Sequence, residues 1–147
     1  MERWGRYIDI VGVDAFPNYL FGHPPMGSRV GKKVAQAREV ARGKPVMVLE
    51  SGYPVRPGYR GMSEGGQAVF VRDAVASTAD AGGCGFYYYT LCSPEGYPVE
   101  GPWSNRFFQS VEPWWGLVRI DWSRRPAWLE YRKAVSSAKK AVLGRSA

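Results

Sequence analysis

The chain has 147 residues, 45% hydrophobic and 22% charged, which suits one ordinary globular domain. With 18 Gly and 11 Pro it is too rich in helix breakers for a helical bundle, and its aromatic content of 14% includes six Trp and nine Tyr. The net charge of +7 is scattered, with no basic run longer than a pair such as Arg124-Arg125, so no nucleic-acid partner is expected. No apolar run is long enough to span a bilayer, and no membrane partner is expected either.

The chain opens with Met1-Glu2-Arg3-Trp4, which leads toward a strand without the pattern of a secretory signal; the compartment stays open. The first strand is expected over Tyr7–Val13 (YIDIVGV), a nearly continuous apolar run of the kind found in parallel strands covered on both faces. His23, the single histidine, follows in a loop before Pro24-Pro25 and reads as a solvated bystander rather than a groove residue. Val30, Val34, Ala37 and Ala41 then recur at helical spacing, and Gly43 stops that helix. A second strand is expected over Val46–Leu49. The second helix carries Ala68, Val71, Val75 and Ala79, with Ser63 as N-cap and Gly82-Gly83 as stop. A third strand is expected over Gly85–Leu91 (GFYYYTL), with Cys84 and Cys92 at its ends. Eight residues of strand separate these thiols by ~26 Å, beyond disulfide reach, and with one histidine there is no metal spacing. The third helix shows Trp128, Tyr131, Val135, Ala138 and Val142, starts near Pro126 and ends at Gly144. Trp114, Trp115 and Trp128 read as packing residues.

The strands begin near Tyr7, Val46 and Gly85, 39 residues apart each time. Links from helix to strand are tight (Gly43-Lys44-Pro45, Gly82-Gly83-Cys84), whereas links from strand to helix are long. That asymmetry belongs to a (β/α)8 barrel, whose long loops build the active site at the strand C-termini. The expected fold is α/β: a partial TIM barrel of about three βα units with parallel strands, one domain over residues 1–147. Three strands cannot close a barrel, so two sheet edges and one exposed apolar face are expected. Gly116–Ile120 (GLVRI) is a candidate edge strand.

A catalytic carboxylate in such a barrel sits at the end of a strand. Glu50 directly follows Val46-Met47-Val48-Leu49, and Asp14 ends the first strand. The surrounding motifs are Lys44-Pro45-Val46-Met47-Val48-Leu49-Glu50-Ser51-Gly52-Tyr53, Asp9-Ile10-Val11-Gly12-Val13-Asp14-Ala15-Phe16-Pro17, and Glu112-Pro113-Trp114-Trp115-Gly116-Leu117 followed by Asp121 and Arg125-Pro126-Ala127. Together, in this order, they make the chain resemble glycoside hydrolase clan A, the retaining β-glycosidases on (β/α)8 barrels, with families 53 and 5 nearest.

The resemblance implies strands six to eight of such a barrel, with Glu50 as nucleophile toward an oligo- or polysaccharide. It implies sugar platforms at Phe16, Tyr19 and Tyr53, Tyr88 or Tyr89 in place of the clan's strand-eight Trp, and Trp103 at a further subsite. No cofactor is expected, since this chemistry uses two carboxyl groups and water. The clan's acid/base, usually after an Asn at the end of strand four, has no counterpart here. Asp14 is a candidate second carboxyl group, because adjacent strands lie ~4.8 Å apart, although a loop-bonding role suits it better. Two functions follow: a glycosidase completed by self-association or a complementary barrel fragment, or a non-catalytic carbohydrate-binding or assembly module. An enzyme needs a second carboxyl group near Glu50; a binder needs only the platforms.

Overall fold

The computed structural model describes residues 5–19, 22–93 and 111–144. Three parallel strands form one open sheet in sequence order: β1 (Val11–Asp14), β2 (Val46–Ser51) and β3 (Gly85–Tyr88). Helices α1 (Ser28–Val40) and α2 (Glu64–Asp80) make the crossovers, and α3 (Pro126–Gly144) packs along α2. The expected partial-barrel arrangement of βα units is thus observed.

The helix-covered face is a close-packed layer. Val46 and Val48 of β2 meet Val30 and Val34 of α1 and Phe70 and Ala74 of α2, all essentially inaccessible to water. The two helices approach closely because Gly27 and Gly31 carry no side chain; a Cβ at either would overlap the α2 backbone. Ser77 fills the seam, accepting from the Gly31 amide at 3.2 Å and donating to the Gly27 carbonyl at 3.2 Å. Ser63 caps α2 as its sequence position suggests, accepting the Gly66 amide at 3.0 Å from an extended backbone. Tyr131 ties α3 to the sheet by donating to the Phe86 carbonyl at 3.1 Å.

The opposite face is bare. Leu49 and Tyr87 are 47% and 60% exposed, and Ile10 just before β1 and Leu91 beyond β3 are exposed too. Glycines on the strands leave room for their neighbours: a Cβ on Gly12 would enter the Leu49 side chain, and one on Gly85 would touch Met47. This is the exposed apolar face that three strands of an unclosed barrel must present.

Strand limits differ from those the sequence suggested. Tyr7 lies in a 3-10 turn (Gly5–Tyr7) and is largely exposed; laddering begins only when the Val11 amide reaches the Pro45 carbonyl at 2.9 Å. β2 runs two residues further, to Ser51, because the Ala15 and Tyr89 amides bond the Glu50 and Ser51 carbonyls. β3 stops at Tyr88. Gly116–Ile120 is no strand: only Val118 bridges, to Cys92 and to Arg124. Both cysteines are free.

Candidate active site

Glu50 sits at the C-terminal end of β2, the central strand. The β1–β2 register pairs Val13 with Val48 and then Asp14 with Glu50, so Leu49 is skipped. This local irregularity re-aims the strand end, as bulges at barrel rims do. It sets the two acidic residues side by side, both exposed. Ser51 is buried and donates to the Ala15 carbonyl at 2.7 Å, locking the two strand ends together. The next residue must be glycine: a Cβ at Gly52 would overlap the Tyr89 carbonyl and press on the Trp115 indole. The Glu-Ser-Gly sequence therefore has a packing explanation at each position after the carboxylate.

Around Glu50 opens a pocket of about 610 Å3 lined by Phe16, Tyr19, Glu50, Tyr89, Glu112 and Trp115. Four rings interlock in its wall. Tyr19 and Trp115 stack with centroids 5.6 Å apart, 13° from parallel. Phe16 meets Trp115, Tyr89 and Tyr19 edge-on at 5.5, 6.2 and 6.3 Å. Edge and offset contacts of this kind suit the ring quadrupoles and hold the wall rigid. The loop after β1 is braced by buried Asn18, which accepts the Met26 amide at 2.8 Å and donates to the Gly22 and Pro24 carbonyls. Phe16 and Tyr19, on either side of Asn18, are positioned by that brace.

Glu112 comes from a 3-10 turn, Glu112–Trp114, in the segment that also carries Trp115. Tyr19 donates its hydroxyl to Glu112 Oε1 at 3.1 Å. Burial raises the Glu112 pKa; Tyr19, Trp115 and Tyr89 favour its charged form, and the Glu50 charge raises it further. Burial also raises Tyr89, assisted by the charges of Glu112 and Glu50. The Trp115 Nε1, within a side chain 1% exposed, has no hydrogen-bond partner of good geometry.

The structure therefore brings together Glu50, Phe16, Tyr19 and Tyr89 from the sequence-derived set. Asp14 adjoins Glu50 on the neighbouring strand but is not among the residues lining the pocket. Tyr53, expected as a platform, does not line it and packs into the core; of the two tyrosines offered for the strand-eight Trp position, Tyr89 lines the pocket and Tyr88 turns to the core. Tyr53 is fully buried against Phe70. The Tyr88 hydroxyl accepts the Tyr53 amide at 3.1 Å and donates to the Tyr53 carbonyl at 3.2 Å. Both rings surround buried Gln67, whose Nε2 lies within 3.0–3.2 Å of the Tyr53, Trp115 and Gly116 carbonyls and the Tyr88 hydroxyl. Trp103 lies outside the described residues. His23 is not in the pocket lining either. Sequence reasoning missed Glu112 and Trp115 as pocket residues: both stood in the Glu-Pro-Trp-Trp-Gly-Leu motif, but Glu112 was only a motif letter and Trp115 a packing residue. Among the described residues no cluster of His, Cys, Asp and Glu suits a metal ion, and no helix is long and apolar enough to cross a membrane.

Neither a family model nor a curated protein matches the chain. Solved structures do. A glycoside hydrolase family 17 β-1,3-glucanosyltransferase from Rhizomucor miehei superposes with TM-score 0.63 at 17% identity, over 84% of this chain and 43% of that one. A family 2 β-galacturonidase from Eisenbergiella tayi gives 0.65 at 18% identity, over 88% of this chain and 24% of the other. An exo-β-1,4-mannosidase from an Opitutaceae bacterium gives 0.64 at 17% identity, over 91% and 24%. The chain thus has the fold of part of a glycoside-hydrolase TIM barrel, and it spans less than half the length of these proteins.

Proposed function

We propose that the chain is the nucleophile-bearing part of a retaining β-glycosidase that acts on β-glycans. The observation that carries this reading is the placement of Glu50: at the mouth end of the central strand, held by the strand ladder, in a pocket walled by aromatic rings. The neighbours support the substrate class; one is a β-1,3-glucanosyltransferase active-site mutant in complex with laminaritriose. In this mechanism the Glu50 carboxylate attacks the anomeric carbon, the glycosidic C–O bond breaks, and the departing oxygen takes a proton from an acid. Water then attacks the glycosyl-enzyme ester, giving up a proton to the same group, now a base, and Glu50 is released as carboxylate. Aromatic faces of Phe16, Tyr19 and Tyr89 bury the C–H surface of the sugar rings.

Further barrel strands from a complementary fragment add at the β1 and β3 edges, cover the bare face of Leu49 and Tyr87, and bring the acid/base that retaining chemistry requires ~5–5.5 Å from the nucleophile. Asp14 is the internal candidate for that role, adjacent to Glu50 in register. The same bare face favours a second reading, an assembly or carbohydrate-binding module that keeps the aromatic pocket without turnover. Hydrolysis of dinitrophenyl β-glycosides decides between them, because dinitrophenolate leaves without protonation. The enzyme reading expects turnover or a trapped glycosyl-enzyme that Glu50→Gln abolishes. Sugar binding with no Glu50-dependent reaction would leave the binding module.

A further inference from the structure

We propose that Glu112 is a specificity-determining residue of the Glu50 pocket: the carboxylate that anchors a sugar hydroxyl against the aromatic wall. This rests on reading that pocket as a saccharide site.

The argument begins with what the pocket offers a polyol. Among the described residues, its lining holds four rings and two carboxyl groups, and no Lys, Arg, His, amide or aliphatic hydroxyl. A sugar stacked on such rings still needs polar partners for its hydroxyls, which are otherwise stripped of water without replacement. Glu50 faces the anomeric carbon in the proposed chemistry. Among the described lining residues, the remaining polar side-chain groups are the Tyr19 and Tyr89 hydroxyls, the Trp115 indole N–H and the Glu112 carboxyl. Tyr19 is already committed, donating to Glu112 Oε1. A carboxylate has about four acceptor positions. Tyr19, Trp115 and Tyr89 direct donors toward it, and the position left over can accept a ligand hydroxyl.

The position of this carboxyl is held by the same wall it serves. Tyr19, its donor, is stacked on Trp115, three residues beyond Glu112 in the chain. A ligand hydroxyl therefore meets an acceptor whose rotamer is already fixed, which reduces the ordering cost of binding. The indole N–H of the fully buried Trp115 favours the charged form of Glu112 without reaching good hydrogen-bond geometry. Glu112 itself is a half-buried acid, and among the described lining residues there is no cation. The titratable groups around it are Tyr19 from the loop after β1, Glu50 from β2 and Tyr89 following β3. A carboxyl half-buried among rings is poor for stability and useful for recognition.

The test is calorimetric binding of laminaritriose, cellotriose and mannotriose to the unaltered chain and to Glu112→Gln, Tyr19→Phe and Glu50→Gln, from acid to neutral pH. The amide of Glu112→Gln keeps an acceptor for Tyr19, so the wall persists, and circular dichroism verifies the fold. The expected result is preference for one trisaccharide, weakened at least about tenfold in Glu112→Gln. Affinity in the unaltered chain falls as acidification protonates Glu112, and that pH dependence disappears in Glu112→Gln but survives in Glu50→Gln. Unchanged affinity and pH profile in Glu112→Gln, or no binding of any trisaccharide by the unaltered chain, overturns the proposal. Glu50-dependent reaction with dinitrophenyl glycosides stands or falls separately, so failure of Glu112 as anchor is distinguishable from failure of Glu50 as nucleophile.

Discussion

Two polar hubs, one on each side of β2's end, use similar residues to opposite ends. On the helix side, Gln67 lies among Tyr53, Tyr88 and the backbone of Trp115 and Gly116, buried and neutral. At the mouth, Glu112 is held by Tyr19 with Tyr89 and Trp115 beside it, in an open pocket and titratable. Tyr88 and Tyr89 are neighbours in sequence and belong to different hubs, because successive side chains of an extended segment point to opposite faces. A tyrosine whose hydroxyl is bonded within the core holds the fold together; one whose ring borders a pocket beside a half-buried acid is available to a ligand.

The sharpest way to break this contrast is to remove the buried amide. Gln67→Leu keeps the volume but strips the partner from the Tyr88 hydroxyl and from the Trp115 and Gly116 carbonyls. Unsatisfied buried polar groups carry a penalty, so the variant is expected to lose about 2–3 kcal/mol in urea unfolding. The loss should be accompanied by weaker sugar binding, since Trp115 is shared between hub and pocket. Equal stability of variant and parent would reject the hub.

A smaller effect is expected at the brace of the β1 loop. Asn18→Ala leaves the Met26 amide and two carbonyls without their side-chain partner, a loss of about 1–2 kcal/mol by the same measurement. Because Phe16 and Tyr19 flank Asn18, their ring contacts with Trp115 should loosen, visible as a change in near-ultraviolet circular dichroism. A stability loss with no aromatic signal change would separate the brace from the wall.

Much of the architecture was legible in the residues. Valines and alanines at helical spacing, the Ser63 cap and the Gly43 and Gly82 stops gave three βα units in order, and Glu50 was placed at a strand end by four apolar residues before it. What was hidden depended on contacts between distant segments. Nothing local to Tyr53 says that Gln67, fourteen residues on, will bond its carbonyl in the core. Nothing local to Glu112 says that Tyr19, ninety-three residues away, will hold its carboxyl in the Glu50 pocket. The irregularity that skips Leu49 is likewise a property of the β1–β2 pair and not of either strand's composition. Periodicity reports which face of an element is covered; it is silent on which side chains from separate loops meet at the mouth.

The smallest effect, and the most specific to the mouth, is on stability against pH. Burial raises the folded pKa of Glu112 above its ordinary unfolded value. Between those two values the folded chain holds a proton that the unfolded chain has released, so stability falls as pH rises through that window. The contribution is fully present below the ordinary carboxylate range and lost above the raised value. Glu112→Gln cannot titrate, so the difference in unfolding free energy between parent and variant, taken at each pH, isolates this group while other carboxylates cancel. The variant should gain on the parent from acid to neutral pH, by a modest amount because the pocket is open to solvent. A difference that is flat, or of opposite sign, would mean that the bonds from Tyr19 and its neighbours outweigh burial, and that Glu112 is a satisfied structural acceptor like Gln67's partners rather than an acid kept available for a ligand.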